Sequence, residues 1–131
     1  MNILKLLNRE TQLFEGDWNT HREDLREIFM GSRILVVGGA GSIGRAVTSL
    51  LFNLEPATLD VVDLSENNLV ELVREIRSAT SKTATSFDTF AIDVGSKEFE
   101  YLVDKKGGYD FIFNLSALKH VRNEKDEFTL R

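Results

Sequence analysis

The sequence contains no cysteine, so neither a disulfide framework nor a thiolate metal site can form. Histidine is nearly as scarce. His21 and His120 lie far apart without ligand-like spacing, which argues against a zinc site. Basic residues are not in excess either, because 16 Lys and Arg stand against 21 Asp and Glu for a net charge of -5. A chain that tracked a phosphate backbone would carry a basic stripe, and nucleic acid is therefore not an expected partner. No apolar run approaches the ~20 residues of a membrane span, and the start MNILKLLNRE lacks a signal-peptide core and a small-residue cleavage site. No membrane association and a cytoplasmic location are the expectations.

What is present suits one folded domain. The 131 residues are 42% hydrophobic and 28% charged, enough to bury one core and far from disordered composition. Strand-like and helix-like patterns alternate with short polar connections, which is the signature of a parallel α/β sheet. Arg33–Val37 is an uninterrupted apolar run, as expected for a strand covered on both faces, and Leu59–Val62 and Phe111–Leu115 read the same way. Phe87–Ile92 is a weaker fourth strand. The first intervening helix carries Ile43, Ala46, Val47, Leu50, Leu51 and Leu54 at helical spacing, and this face is expected to pack on the sheet. Ser65 should cap a second helix with Leu69, Leu72, Val73 and Ile76 on one stripe. A third should begin near Ser96, present Phe99, Leu102 and Val103, and stop at Gly107-Gly108. This β-α-β-α-β-α-β order predicts half of a doubly wound fold, with at least four strands in the order 3-2-1-4.

Residues 1–31 stand outside the alternation and are read as a helical extension, with residues 32–131 as the domain. Thr20 to Glu23 has capping-box spacing, so a short helix should start there and stop at Gly31, and Met1–Leu7 is a further short amphipathic piece. Trp18 and Phe14 are read as packing on the domain. The other reading places them against a partner chain, as in a homo-oligomer.

The stretch RILVVGGAGSIGR places four glycines directly after the first strand, and each costs about 0.5–1 kcal/mol relative to alanine inside an element. A strand, then Gly38-x-x-Gly41-x-x-Gly44, then a helix is the context of a dinucleotide-binding fingerprint. In that reading the early glycines make the turn, Gly41 admits a pyrophosphate to the backbone, and Gly44 lets the helix lie close to the strand. The helix N-terminus adds free N–H groups and partial positive charge. Asp63 ends the second strand about 20 residues further on, where a carboxylate accepts hydrogen bonds from adenosine ribose hydroxyls. It would repel a 2′-phosphate, so NAD is the expected cofactor, and Arg45 is the one nearby cation that weakens this preference. The alternative reading of Asp63 is a helix cap, a role Ser65 already suits.

GGAGSIGRAV, VVDLSENNL, AIDV and FIFNLSALKHV resemble successive motifs of the extended short-chain dehydrogenase/reductase family. Within it they are most similar to the nucleoside-diphosphate-sugar 4,6-dehydratases and epimerases of polysaccharide biosynthesis. The resemblance covers about residues 32–122. It implies a Rossmann-like fold in which Gly38, Ala40, Gly41, Ser42, Ile43 and Gly44 line the pyrophosphate, while Asp63, Leu64 and Ser65 meet the adenosine ribose. Asp93 and Val94 would lie against adenine, and Leu115, Ser116, Ala117 and Lys119 would border the ribose near nicotinamide. Ser116-Ala117 stands where most members carry two alanines. Lys119 and His120 are open to substrate contacts or to plain solvation.

The family's catalytic apparatus is a Ser/Thr after a fifth strand and a Tyr-x-x-x-Lys on the next helix, which exchange a proton with the sugar while NAD takes the hydride. Tyr101 to Lys105 matches that spelling, but it precedes the fourth strand and is read as coincidence. No catalytic residue is assigned. The chain is therefore expected to be a fragment, the NAD-binding portion of a UDP-sugar dehydratase or epimerase. The alternative is a stand-alone module that senses NAD or a nucleotide.

Overall fold

A computed structural model describes residues 3–8, 10–11, 13–79 and 84–116. In chain order the elements are α1 (Ile3–Leu6), α2 (Glu15–Phe29), β1 (Arg33–Val37), α3 (Ser42–Phe52), β2 (Thr58–Asp63), α4 (Glu66–Ala79), β3 (Ser86–Ala91), α5 (Lys97–Lys106) and β4 (Phe111–Asn114). The four strands form one parallel sheet in the order β3-β2-β1-β4, the Rossmann-like topology expected from the sequence. β1 pairs with β2 from Arg33–Thr58 to Val37–Val62 and with β4 from Ile34–Phe111 to Val37–Asn114. Val37, Val62 and Asn114 therefore end in line. The loops that follow them open on one edge of the sheet.

Burial follows position in the sheet. Ile34, Leu35 and Val36 of β1 and Leu59, Val61 and Val62 of β2 are fully buried, because central parallel strands are covered on both faces. One face packs Ile34, Val36, Leu59 and Val61 with Leu51 and Phe52 of α3 and Leu69, Leu72 and Ile76 of α4. The other packs Leu35, Val37 and Val62 with Leu102 of α5. β4 departs from its expected cover on both faces. Among the described strands it lies at the edge, its Phe111 and Phe113 turn to the larger core while Ile112 is 60% exposed, and it ends one residue early, at Asn114.

Two helices also depart from expectation. Only part of the apolar stripe of α3 is buried: Leu51, and Leu54 just beyond the helix, are in the core and Val47 packs against it, whereas Ile43 and Leu50 are exposed and Gly44, Thr48 and Phe52 share the buried face instead. Contact of Gly44 with the turn at Gly38 and Gly39 fixes the helix rotation, and the small residues Gly44 and Thr48 allow closer approach than Ile43 and Leu50 would. α2 begins at Glu15, not at the capping box. Thr20 lies inside it, and its hydroxyl donates to the Gly16 carbonyl at 2.8 Å, the back-bonding open to Thr within a helix. The expected stop holds, with Gly31 in the left-handed region at φ 72.

Trp18, Leu25 and Phe29 of α2 pack on the larger core, and Phe29 meets Phe111 edge-on with ring centroids 4.8 Å apart. Phe14 instead is exposed. Ser96 caps α5 by accepting from the Phe99 N–H at 3.2 Å, and α5 ends at Gly107, φ 74, as its sequence predicts. Among the described residues no helix is long and apolar enough to cross a membrane.

Candidate functional site

The loops beyond Val37, Val62, Ala91 and Asn114 enclose a cleft of about 380 Å³, within the ~300–1,000 Å³ range of small-molecule sites. Its lining gathers Gly38, Gly41, Ser42, Ile43, Gly44, Asp63, Leu64, Asp93, Val94, Leu115 and Ser116. Val37, Val62 and Ile92 complete it. Sequence reasoning passed over these three as ordinary strand residues, yet each is the last apolar residue before a loop, the position that floors a cleft at strand ends.

The glycines divide by their reasons for being glycine. Gly38 has φ 77, and a Cβ there would stand 2.7 Å from the Ser116 backbone nitrogen, so no side chain fits where β1 and β4 diverge. Gly44 faces the turn, and its Cβ would strike the Gly38 carbonyl oxygen. Gly39 is hemmed in by Val61 and Thr48. Gly41 is different: φ is an ordinary -73, and the nearest atom to an added Cβ is the Gly38 oxygen at 3.8 Å. Among the described residues nothing requires glycine at position 41. The space a side chain would occupy is in the cleft.

Gly41 is also the N-cap of α3, and no side chain caps this end. The first N–H groups of a helix lack intrahelical acceptors, so the first turn of α3 presents donors and a partial positive charge to the cleft. The guanidinium of Arg45 turns aside, 3.4 Å from Glu75 and 3.7 Å from Glu71 on α4. An anion at this site would rest on backbone dipoles.

Asp63 is half-buried and holds two segments. One carboxylate oxygen accepts from the Ala40 N–H at 3.1 Å and the other from the Ser65 N–H at 3.0 Å. Ala40 is buried against the core and lies off the cleft lining. Ser65 is also off the lining; its hydroxyl accepts from the Asn68 N–H at 3.3 Å as a cap of α4. Asp93 accepts from the Gly95 N–H at 3.0 Å, which fixes the turn after β3. The Ser116 hydroxyl donates to the Asn114 side chain at 2.7 Å. Ala117, Lys119 and His120 lie outside the described residues. Tyr101 is exposed on α5 and takes no part in the lining.

A second polar cluster lies toward the opposite ends of the strands. Asp60 is fully buried in β2, accepts from the Tyr109 hydroxyl at 2.7 Å and lies 3.5 Å from the Lys106 ammonium, which also reaches Asp88 at 3.7 Å. Burial, reinforced by the hydrogen bond to the Asp60 carboxylate, pushes the Tyr109 phenol well above its usual range.

Comparison with known proteins agrees with this architecture. Residues 34–128 match the family described as polysaccharide biosynthesis protein. The chain is 32% identical over 100 residues to an uncharacterized membrane protein of Methanocaldococcus jannaschii, covering 76% of this chain and 27% of that protein. It is 34% identical over 93 residues to the 3-oxoacyl-(acyl-carrier-protein) reductase FabG of Thermotoga maritima, covering 67% of this chain and 36% of that one. Among solved structures, Pen from Bacillus thuringiensis superposes with a TM-score of 0.58 at 25% identity, over 71% of this chain and 27% of that one. The chain thus spans about a quarter to a third of the proteins it resembles. With its glycine-rich turn, its sheet order and most of its length matched, the chain belongs to the polysaccharide biosynthesis protein family, within the short-chain dehydrogenase/reductase group.

Proposed function

We propose that this chain is the NAD-binding portion of a nucleotide-sugar 4,6-dehydratase or epimerase of polysaccharide biosynthesis. Residues 32–131 form the nucleotide-binding domain in this reading, and residues 1–31 its helical extension. The observation that carries it is Gly41, for which the described residues give no steric reason to be glycine, set at a helix N-terminus without a side-chain cap among them, in a cleft of ligand size. A diphosphate fits that cradle and would take the place a Cβ would fill.

The other residues divide the cofactor among them. Ser42 and Ile43 supply first-turn N–H groups to the pyrophosphate. Asp63 accepts from the adenosine ribose hydroxyls with the lone pairs its two backbone bonds leave over. Asp93 accepts from the adenine amine while Val94 and Leu64 offer apolar surface, and Leu115 and Ser116 border the ribose next to nicotinamide. When bound, NAD supplies the hydride acceptor and donor at C4 of a UDP-hexose. The chain's own part is to bind and orient it, and the negative Asp63 disfavours a 2′-phosphate, since the nearby cation Arg45 is engaged on α4. Calorimetric titration with NAD and NADP tests this reading. NAD should bind more tightly, and an equal or stronger response to NADP would remove the role given to Asp63.

A further inference from the structure

The carboxylate of Asp63 spans the chain between the glycine-rich turn and the turn that opens α4. Its contact with the Ala40 N–H is 3.1 Å and its contact with the Ser65 N–H is 3.0 Å. Ala40 is 2% exposed, so its N–H has no access to bulk water and the carboxylate is the acceptor that satisfies it. Ala40 sits between the turn glycine Gly38, which is pressed against Ser116, and Gly41, which caps α3. Fixing the amide of Ala40 therefore fixes the peptide that sets where Gly41 and the first turn of α3 lie. We propose that Asp63 is a positioning residue for the phosphate cradle, holding the glycine-rich turn in its ligand-ready shape independently of any contact with a ribose. The proposal deepens the nucleotide reading of this cleft and rests on it for the identity of the ligand.

The sign of one effect separates this role from the others Asp63 can play. If Asp63 only accepted from ribose hydroxyls, a ligand without them would be indifferent to its replacement. If Asp63 acted only through its charge, removing that charge would tighten any diphosphate bound nearby, since like charges repel. If it holds the turn, replacement weakens even a diphosphate that lacks ribose hydroxyls. Asp63→Ala is the suitable variant, because it removes the charge and both acceptor oxygens, whereas the amide of an asparagine could turn its oxygen to the Ala40 N–H and keep the hold.

Titration calorimetry of the parent chain and Asp63→Ala with ADP and with 2′,3′-dideoxy-ADP, alongside amide hydrogen exchange of the ligand-free proteins by NMR, tests the proposal. The variant should bind dideoxy-ADP more weakly, and its Ala40 amide should exchange faster by about ten- to a hundredfold, the scale set by a hydrogen bond to a charged acceptor. Unchanged or tighter binding of dideoxy-ADP by Asp63→Ala would overturn it. So would a parent Ala40 amide that exchanges as fast as an unprotected one, a result that does not depend on the variant folding. If the parent bound neither nucleotide, the NAD reading would fall, while Ala40 protection lost in Asp63→Ala would still support the hold on the turn.

Discussion

Gly44 of α3 packs directly on the carbonyl of Gly38: a Cβ on Gly44 would strike that oxygen and stand 2.7 Å from Gly39 Cα. A Cβ on Gly41, between them in sequence, would come no nearer than 3.8 Å to that oxygen, an ordinary contact. The pair yields opposite expectations for two substitutions three residues apart. Gly44→Ala should destabilise the fold by about 1–3 kcal/mol, the usual cost of forcing volume into a packed contact. Gly41→Val should cost no more than about 0.5–1 kcal/mol, the difference between glycine and a poor N-cap residue, yet abolish nucleotide binding by filling the cleft. Thermal melts with NAD titrations on both variants check this, and unaltered binding by Gly41→Val would remove the phosphate-cradle reading.

Cofactor choice should respond to residues outside the cleft. Arg45 is held between Glu71 and Glu75 at 3.7 and 3.4 Å. Both carboxylates are exposed, so the pairs contribute only about 0–1 kcal/mol to stability. The Glu71→Gln, Glu75→Gln double variant should therefore remain folded, free the guanidinium, and raise NADP affinity severalfold with little change for NAD. Paired titrations at low ionic strength would reveal the shift, and an unchanged ratio would show that Arg45 cannot reach the ribose side.

The Tyr109–Asp60 pair predicts an alkaline signature. The Tyr109 phenol is raised from its ordinary value of 10.0 by burial first and by its hydrogen bond to Asp60 second. A folded-state value above the unfolded one means a stabilising contribution that is complete below pH 10 and lost as pH climbs through the higher folded value. Tyr109→Phe leaves the buried Asp60 carboxylate without its hydroxyl donor and should cost about 1–3 kcal/mol at neutral pH. The difference between the two proteins should narrow above pH 10. Chemical denaturation at pH 7 and pH 11 measures both effects.

Tyr101 and Lys105 spell a catalytic pair, but Tyr101 is 68% exposed on α5 and away from the cleft. A proton-transfer group must come within about 2.6–3.2 Å of its substrate, directly or through one water. Tyr101→Phe should leave NAD affinity unchanged, and UDP-hexose with NAD should give no keto-sugar detectable by mass spectrometry with either protein. Product from the parent that vanishes in Tyr101→Phe would overturn this placement.

The strands and the cleft were legible because they rest on local rules. Ile34 to Val37 is a continuous apolar run with one compatible environment, and glycine spacing after a strand admits few alternatives. The misjudged features depend on contacts no local pattern records. Ile43 and Leu50 looked like core residues, but the tight fit of Gly44 against Gly38 sets the rotation of α3 and turns them outward. Asp60 went unremarked within an apolar strand, since its partners Tyr109 and Lys106 arrive from more than 40 residues away, a separation of 49 for the hydrogen bond itself. The start of α2 shifted because a Thr hydroxyl can cap a helix or bond backward within one, and the sequence is the same in both cases.

The grip of Phe29 on Phe111 has a consequence for the order of assembly. β1, α3 and β2 are neighbours along the chain and can settle together with short loop closures. β4, in contrast, reaches β1 across a separation of 77 residues, as the Arg33 N–H donating to Asp110 shows. Contacts so distant in sequence are the slow ones to form. On a ribosome, the β1–β2 portion would emerge with one side of β1 unpaired and the aromatic face of α2 waiting, until residues 111–114 arrive to seal both at once. The same two phenylalanines that finish the core make this nascent edge the point at which a chaperone has the most to shield.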